Sequence, residues 1–252
     1  MSPVALGGVA FLCLFCGALL GMFCGATLPR HHLDAESKDT IRMVMTLLAT
    51  LSALVVGLLI NSAKSSFDDK DGEVKKIAAD IVQLDQVMAE YGPETQQARV
   101  LFRAAVQARI HQVWSGQTTR LDMAAVERDA DDEPLQRQIL ALVPSNDTQS
   151  LLKSSALDIS TDIAKSGSIL VADTRGTIQW PFLAIQLLGL SILFVSFGLF
   201  APRNATVIAV LFVGALTLSG SIYLIVAMDQ PYSGLIRISS EPLDSALARI
   251  GQ

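Results

Sequence analysis

Residues 43–63 hold no charged side chain. A bilayer core of ~30 Å is crossed by about 20 helical residues. In lipid, a lone segment satisfies its backbone only as a helix. The stretch therefore reads as a membrane helix, and it limits what the rest of the chain can be. Set out at about 100° per residue, one narrow face collects Thr46, Thr50, Ala53, Gly57, Asn61 and Lys64, while the other faces are Leu, Val, Ile and Met. Lipid gives a small, polar stripe nothing to bond to, so it must meet another helix or water. Two readings stay open. Small residues with Thr or Asn serve helix–helix packing. The same stripe serves as the lining of a pore or polar cavity, with Asn61 and Lys64 near its mouth.

The distribution of charge extends this reading. The 252 residues are 51% hydrophobic and 17% charged, too apolar for an ordinary soluble domain. Residues 1–29 carry no charge, and between Arg175 and Asp229 only Arg203 does. The acids and bases gather between Lys64 and Arg175. The expectation is an all-α membrane protein: a first transmembrane pair in 1–63, an extramembrane helical insertion in 64–175, a second pair in 176–228 and an extramembrane tail in 229–252. The lipid bilayer is thus its first partner. Bases in the short loops (Arg30, Lys38, Arg42, Arg203) put the hairpins inside, whereas those at the roots of the insertion (Lys64, Lys70, Lys75, Lys76, Lys165, Arg175) put the insertion there.

Within the first span Gly17, Gly21 and Gly25 form GxxxGxxxG, a face for close helix contact with the second span or a neighbouring subunit. Gly189 in the third span and Gly214 in the fourth are further packing positions. Cys13, Cys16 and Cys24 all lie in the first span, where thiols behave as small apolar residues. After a polar stretch at 65–72, Val74, Ile77, Ile81, Leu84, Met88 and Tyr91 recur at spacings of three and four, the seam of an amphipathic helix. Gly92-Pro93 stops it, and Phe102, Val106 and Ile110 mark the next buried face. Leu135, Ile139 and Leu142, then Ala156, Ile159 and Ile163, indicate two more helices. Leu243, Leu247 and Ile250 share one side of a short tail helix.

The sequence offers little for catalysis. It has no GxSxG, P-loop, HExxH or dinucleotide fingerprint. Its three histidines are His31, His32 and His111. The His31–His32 pair and the acidic run at 127–133 match no standard metal spacing and read as solvated surface. No enzyme, cofactor or metal is expected, and the acidic insertion speaks against a nucleic-acid partner.

Leu28-Pro29, the run Tyr91-Gly92-Pro93-Glu94 followed by Arg99, and Asp229-Gln230-Pro231-Tyr232-Ser233-Gly234 with Ile236 and Ser239 are similar to the recurring motifs of the bacterial bestrophin-like membrane proteins. The resemblance spans nearly the whole chain. It implies four membrane helices around a helical insertion, in a multi-pass protein of the bacterial inner membrane. By analogy with bestrophins, which are pentameric anion channels, it also implies a homo-oligomeric ion channel. Bestrophins carry aromatic residues at the pore neck. The second span here has none, so a pore through it would narrow at Leu, Val or Thr. The alternative is a membrane-anchored interaction or sensor protein without transport, using its amphipathic seams to bind a partner.

Overall fold

The computed structural model describes residues 2–27, 35–114, 134–172, 180–232 and 234–251. The Leu28-Pro29 turn, the histidine pair, the acidic run at 127–133, Arg175 and Ser233 lie outside them. Among the described residues the regular structure is all helical. The helices are α1 (Pro3–Thr27), α2 (Ala35–Tyr91), α3 (Gln96–Trp114), α4 (Pro134–Ala141), α5 (Asp147–Ala172), α6 (Trp180–Phe200), α7 (Ala205–Met228) and α8 (Glu241–Arg249), with a 3-10 turn at Pro93–Thr95. Four of them, α1, α2, α6 and α7, are long and apolar enough to cross a membrane.

The second span and the seam that follows it form one unbroken helix of 57 residues. The polar stretch at 65–72 does not separate them. Polarity alone does not break a helix, because the backbone bonds are internal whatever the side chains do. That stretch contains no proline, and just beyond it Lys75 pairs with Asp71 at 2.6 Å, one turn apart.

The chain divides into two compact units, one from residues 1–66 and 177–229, the other from 67–176 and 230–252. In the first, Ala10, Leu14 and Ala18 of α1 are wholly buried among Leu190, Leu193 and Phe194 of α6 and Ala215 and Ile222 of α7. Gly17 meets Ser191 and Val195, while Gly25 meets Leu199, so α1 and α6 run in the same direction. The contact is close enough to be backbone on backbone. A Cβ on Gly21 would run into the Val195 carbonyl, and one on Gly198 into the Ala18 carbonyl. The glycine face of the first span therefore belongs to the third span, not to the second span or a neighbouring subunit. A ladder of missing side chains accepts whichever backbone lies beside it, and in-chain spacing does not name that backbone. At the far end Arg203 Nη2 donates to the Met22 carbonyl at 2.9 Å, drawing the charge to the negative end of α1. Asn204 caps α7 by accepting from Val207 N at 2.8 Å.

The second unit is built on the seam of α2. Val74, Ile77, Ile81, Leu84, Met88 and Tyr91 are all buried, against Phe102, Val106 and Ile110 of α3, Leu135 and Ile139 of α4, and Ala156 of α5. The tail completes this core rather than standing apart from it. Ile238, Leu243, Ala246 and Ile250 are buried in the same cluster, and Trp114 Nε1 donates to the Ile238 carbonyl at 2.9 Å.

Candidate functional site

In its membrane-crossing part α2 has three faces. Ser52, Val56 and Ala63 turn inward and are buried. Leu47, Leu51, Leu54 and Leu58 point outward, each more than half exposed. Thr46, Thr50, Ala53, Gly57, Asn61 and Lys64 lie between these two faces, and all six are exposed. At 3.6 residues per turn the stripe stands roughly a third of a turn from the buried face. A Cβ on Gly57 would meet nothing within 4 Å. The stripe is thus not packed against Gly17 and Gly21 of its own chain.

The threonines are less polar than their composition suggests. Thr46 Oγ1 donates to the Arg42 carbonyl and Thr50 Oγ1 to the Thr46 carbonyl, both at 2.9 Å. Each hydroxyl hydrogen is therefore used within the helix. The other polar side chains of the stripe are Asn61 and Lys64. On its inner face α2 makes a polar contact within the unit, where the Gln186 amide donates to the Ser52 carbonyl at 3.1 Å. One turn on, a Cβ on Gly189 would come within 4.0 Å of Ser52 Oγ, and one on Gly214 within 3.6 Å of the Phe194 ring. Cys13, Cys16 and Cys24 are free thiols on the exposed surface of α1. Among the described residues no three His, Cys, Asp or Glu side chains gather as a metal-binding group.

The Tyr91-Gly92-Pro93-Glu94 motif forms the corner between α2 and α3. Gly92 turns the chain out of α2 at φ +133°, a conformation L side chains rarely adopt. Pro93 then opens the 3-10 turn. Thr95, 1% exposed, gives its hydroxyl to the Met88 and Gly92 carbonyls, two acceptors that the end of α2 leaves over. Gln149 joins from α5: its amide donates to the Tyr91 carbonyl at 2.9 Å, while Asn146 accepts from Gln149 N at 2.8 Å as the N-terminal cap.

Arg99, one turn further, holds Asp85 by two parallel bonds, Nε to Oδ1 and Nη2 to Oδ2, each 2.8 Å. Gly251 N donates to the same carboxylate at 3.2 Å. Burial would push the Asp85 carboxyl up. The Arg99 hydrogen bonds, the Gly251 N–H and the charges of Arg99 and Arg103 together outweigh burial and hold it below its ordinary value. Sequence reading singled out Arg99 but missed Asp85 and Ser52. Asp85 could have been found as an acid placed directly beside Leu84 on an apolar seam. Ser52 gives no such signal, because a lone serine in an apolar span is compatible with any face.

The profile of a family described as Bestrophin-like, Bestrophin-like domain, matches residues 12–243. No curated protein and no solved structure matches the chain.

Proposed function

Because the chain belongs to the bestrophin-like family, we propose that it is one subunit of a homo-oligomeric ion channel of the bacterial inner membrane, with α2 lining the conduction path. One observation carries the reading. The most apolar stretch of α2 is only 11% buried, against 39%, 33% and 22% in α1, α6 and α7. The span left uncovered is the one that bears the small, polar stripe. Lipid can cover the leucine face, but it offers Asn61 no partner. A protomer with four spans is too small to enclose a wide pore, so several copies must share one. No residue is assigned a catalytic role, and anion conduction is the selectivity that the family analogy suggests.

Purified protein in liposomes should pass ions, and Asn61→Leu should change the flux. Absence of flux under every ionic condition, from protein shown to be oligomeric, would remove the reading. One observation favours the alternative, a membrane-anchored interaction protein. On α3, Val100 and Leu101 are 65% and 41% exposed, an apolar face that an ordinary solvated helix does not present. A stable monomer in detergent would support that alternative.

A further inference from the structure

Among the described residues of the helical unit, one buried carboxylate oxygen has no hydrogen-bond donor. Asp80 stands beside Ile81 at the edge of the buried seam of α2, and its side chain is partly exposed. Its Oδ2, however, is buried and accepts no hydrogen bond. The element packed against it is α5, which runs antiparallel to α2. Gln149 near the start of α5 bonds the last residue of α2, Tyr91. Further along α5 and further back along α2, Asp162 acts on Asp80. Leu157, Ile159 and Ile163 of α5 pack on the same core as Ile77 and Ile81.

The charged groups acting on Asp80 are few. Glu73 and Lys76 come from α2 itself, and Asp162 from α5. Two of the three repel a carboxylate. Burial pushes the Asp80 carboxyl up most, Lys76 draws it down, and Asp162 and Glu73 push it up again, leaving it above its ordinary value.

We propose that Asp80 is a proton-receiving position at the contact between α2 and α5, so that this contact tightens as the pH falls. A proton from water adds to the unsatisfied carboxylate. The repulsion from Asp162 and Glu73 then ends. The sign follows from linkage. A carboxyl whose folded value is raised takes up its proton more readily folded than unfolded. Stability therefore rises as pH falls through the raised value and is lost as pH climbs above it. Asp85 is shifted the opposite way, so the pH profile of the wild type alone mixes the two effects. The difference between wild type and variant isolates Asp80. The proposal does not depend on conduction.

The test is the thermal midpoint of the full-length protein in detergent, from about pH 7 down to the ordinary aspartate value of about 3.9, for wild type, Asp80→Asn and Asp162→Asn. Asp80→Asn should melt ~2–4 °C above wild type at the alkaline end, and the gap should close toward the acid end. Asp162→Asn should also melt above wild type at the alkaline end. A gap that stays constant with pH, or an Asp80→Asn variant that melts below wild type throughout, overturns the proposal. Should Asp80→Asn fail to fold, infrared spectroscopy of the wild type decides instead. A protonated-carboxyl band should grow in as pH falls, and its midpoint should move to lower pH in Asp162→Asn. Absence of the band, or an unmoved midpoint, overturns the proposal equally.

Discussion

Gly21 and Gly198 form a reciprocal pair of notches, and adding one methyl group to either should separate α1 from α6. A Cβ on Gly21 would overlap the Val195 carbonyl and lie 2.9 Å from Val195 C and 3.0 Å from Leu199 N. All of these are backbone atoms of a helix, and none can swing aside as a side-chain tip would. At Gly25 the same construction stops 2.5 Å from the Leu199 carbonyl oxygen. Ordinary contact requires ~3.5 Å, so the helices must part by on the order of 1 Å. Over-packing of this kind costs about 1–3 kcal/mol, sometimes more. The better helix propensity of alanine returns at most ~1 kcal/mol. A net loss of about 1–2 kcal/mol is expected for Gly21→Ala and for Gly198→Ala. The double variant should fall short of the sum, because both methyl groups widen one contact.

Gly57→Ala is the control, since its Cβ enters open space within the protomer. The assay is the thermal midpoint of each variant in one detergent, with oligomeric state followed by light scattering. Gly21→Ala and Gly198→Ala should lower the midpoint, and Gly57→Ala should leave protomer stability unchanged or slightly improved. Wild-type stability in both notch variants would refute the backbone contact. A fall in Gly57→Ala equal to that of Gly21→Ala would refute the claim that α2 presents its stripe outside the protomer.

Arg99→Ala removes both bonds from a carboxylate only 9% exposed, and should destabilise the helical unit by ~2–3 kcal/mol in denaturant melts. Because the Asp85 value is held below ordinary, its contribution is present above about pH 3.9 and lost as pH falls through the lower folded value. Acid unfolding of Arg99→Ala should accordingly begin at higher pH than in wild type. Thr95→Val keeps the shape and the Thr95 N–H bond to the Gly92 carbonyl but takes the hydroxyl from the Met88 carbonyl, at a cost of about 1–3 kcal/mol. Thr95→Ser, which keeps the hydroxyl, should recover most of that loss. Ile250→Ala empties a site 1% exposed and should cost ~2–5 kcal/mol, with hydrogen exchange rising in α3 as well as in the tail.

The elements that sequence reading located are those whose signal is local. An apolar run long enough to span, a seam repeating every three or four residues, and the Gly92-Pro93 stop each lie within a few turns of chain. The seam residues of α2 are buried as their spacing predicts. The continuity of α2 through 65–72 was not legible, because a polar, aspartate-rich stretch resembles a loop unless its lack of proline is weighed. The partner of the glycine ladder was not legible either. Val195 and Leu199 lie far along the chain, and nothing in GxxxGxxxG says which backbone will fill it. The same holds for Gly251 reaching Asp85, a contact between the tail and α2 that neither segment advertises.

The stripe on α2 shows where the physical argument moved furthest from the sequence. On paper its polarity rested on two threonines, an asparagine and a lysine. With both threonine hydroxyls spent on the helix backbone, what distinguishes the stripe from the leucine face is mainly its size. Ala53 and Gly57 are its smallest positions, a Cβ on Gly57 meeting nothing within 4 Å, and Asn61 near one end is a group that lipid cannot satisfy. A helix meant only to bury itself in its own bundle would have turned this face inward, as α1 does with its glycines. In α2 the inward positions are instead filled by Ser52, Val56 and Ala63, and the small face stays outside the protomer, available to water or to another copy of the chain.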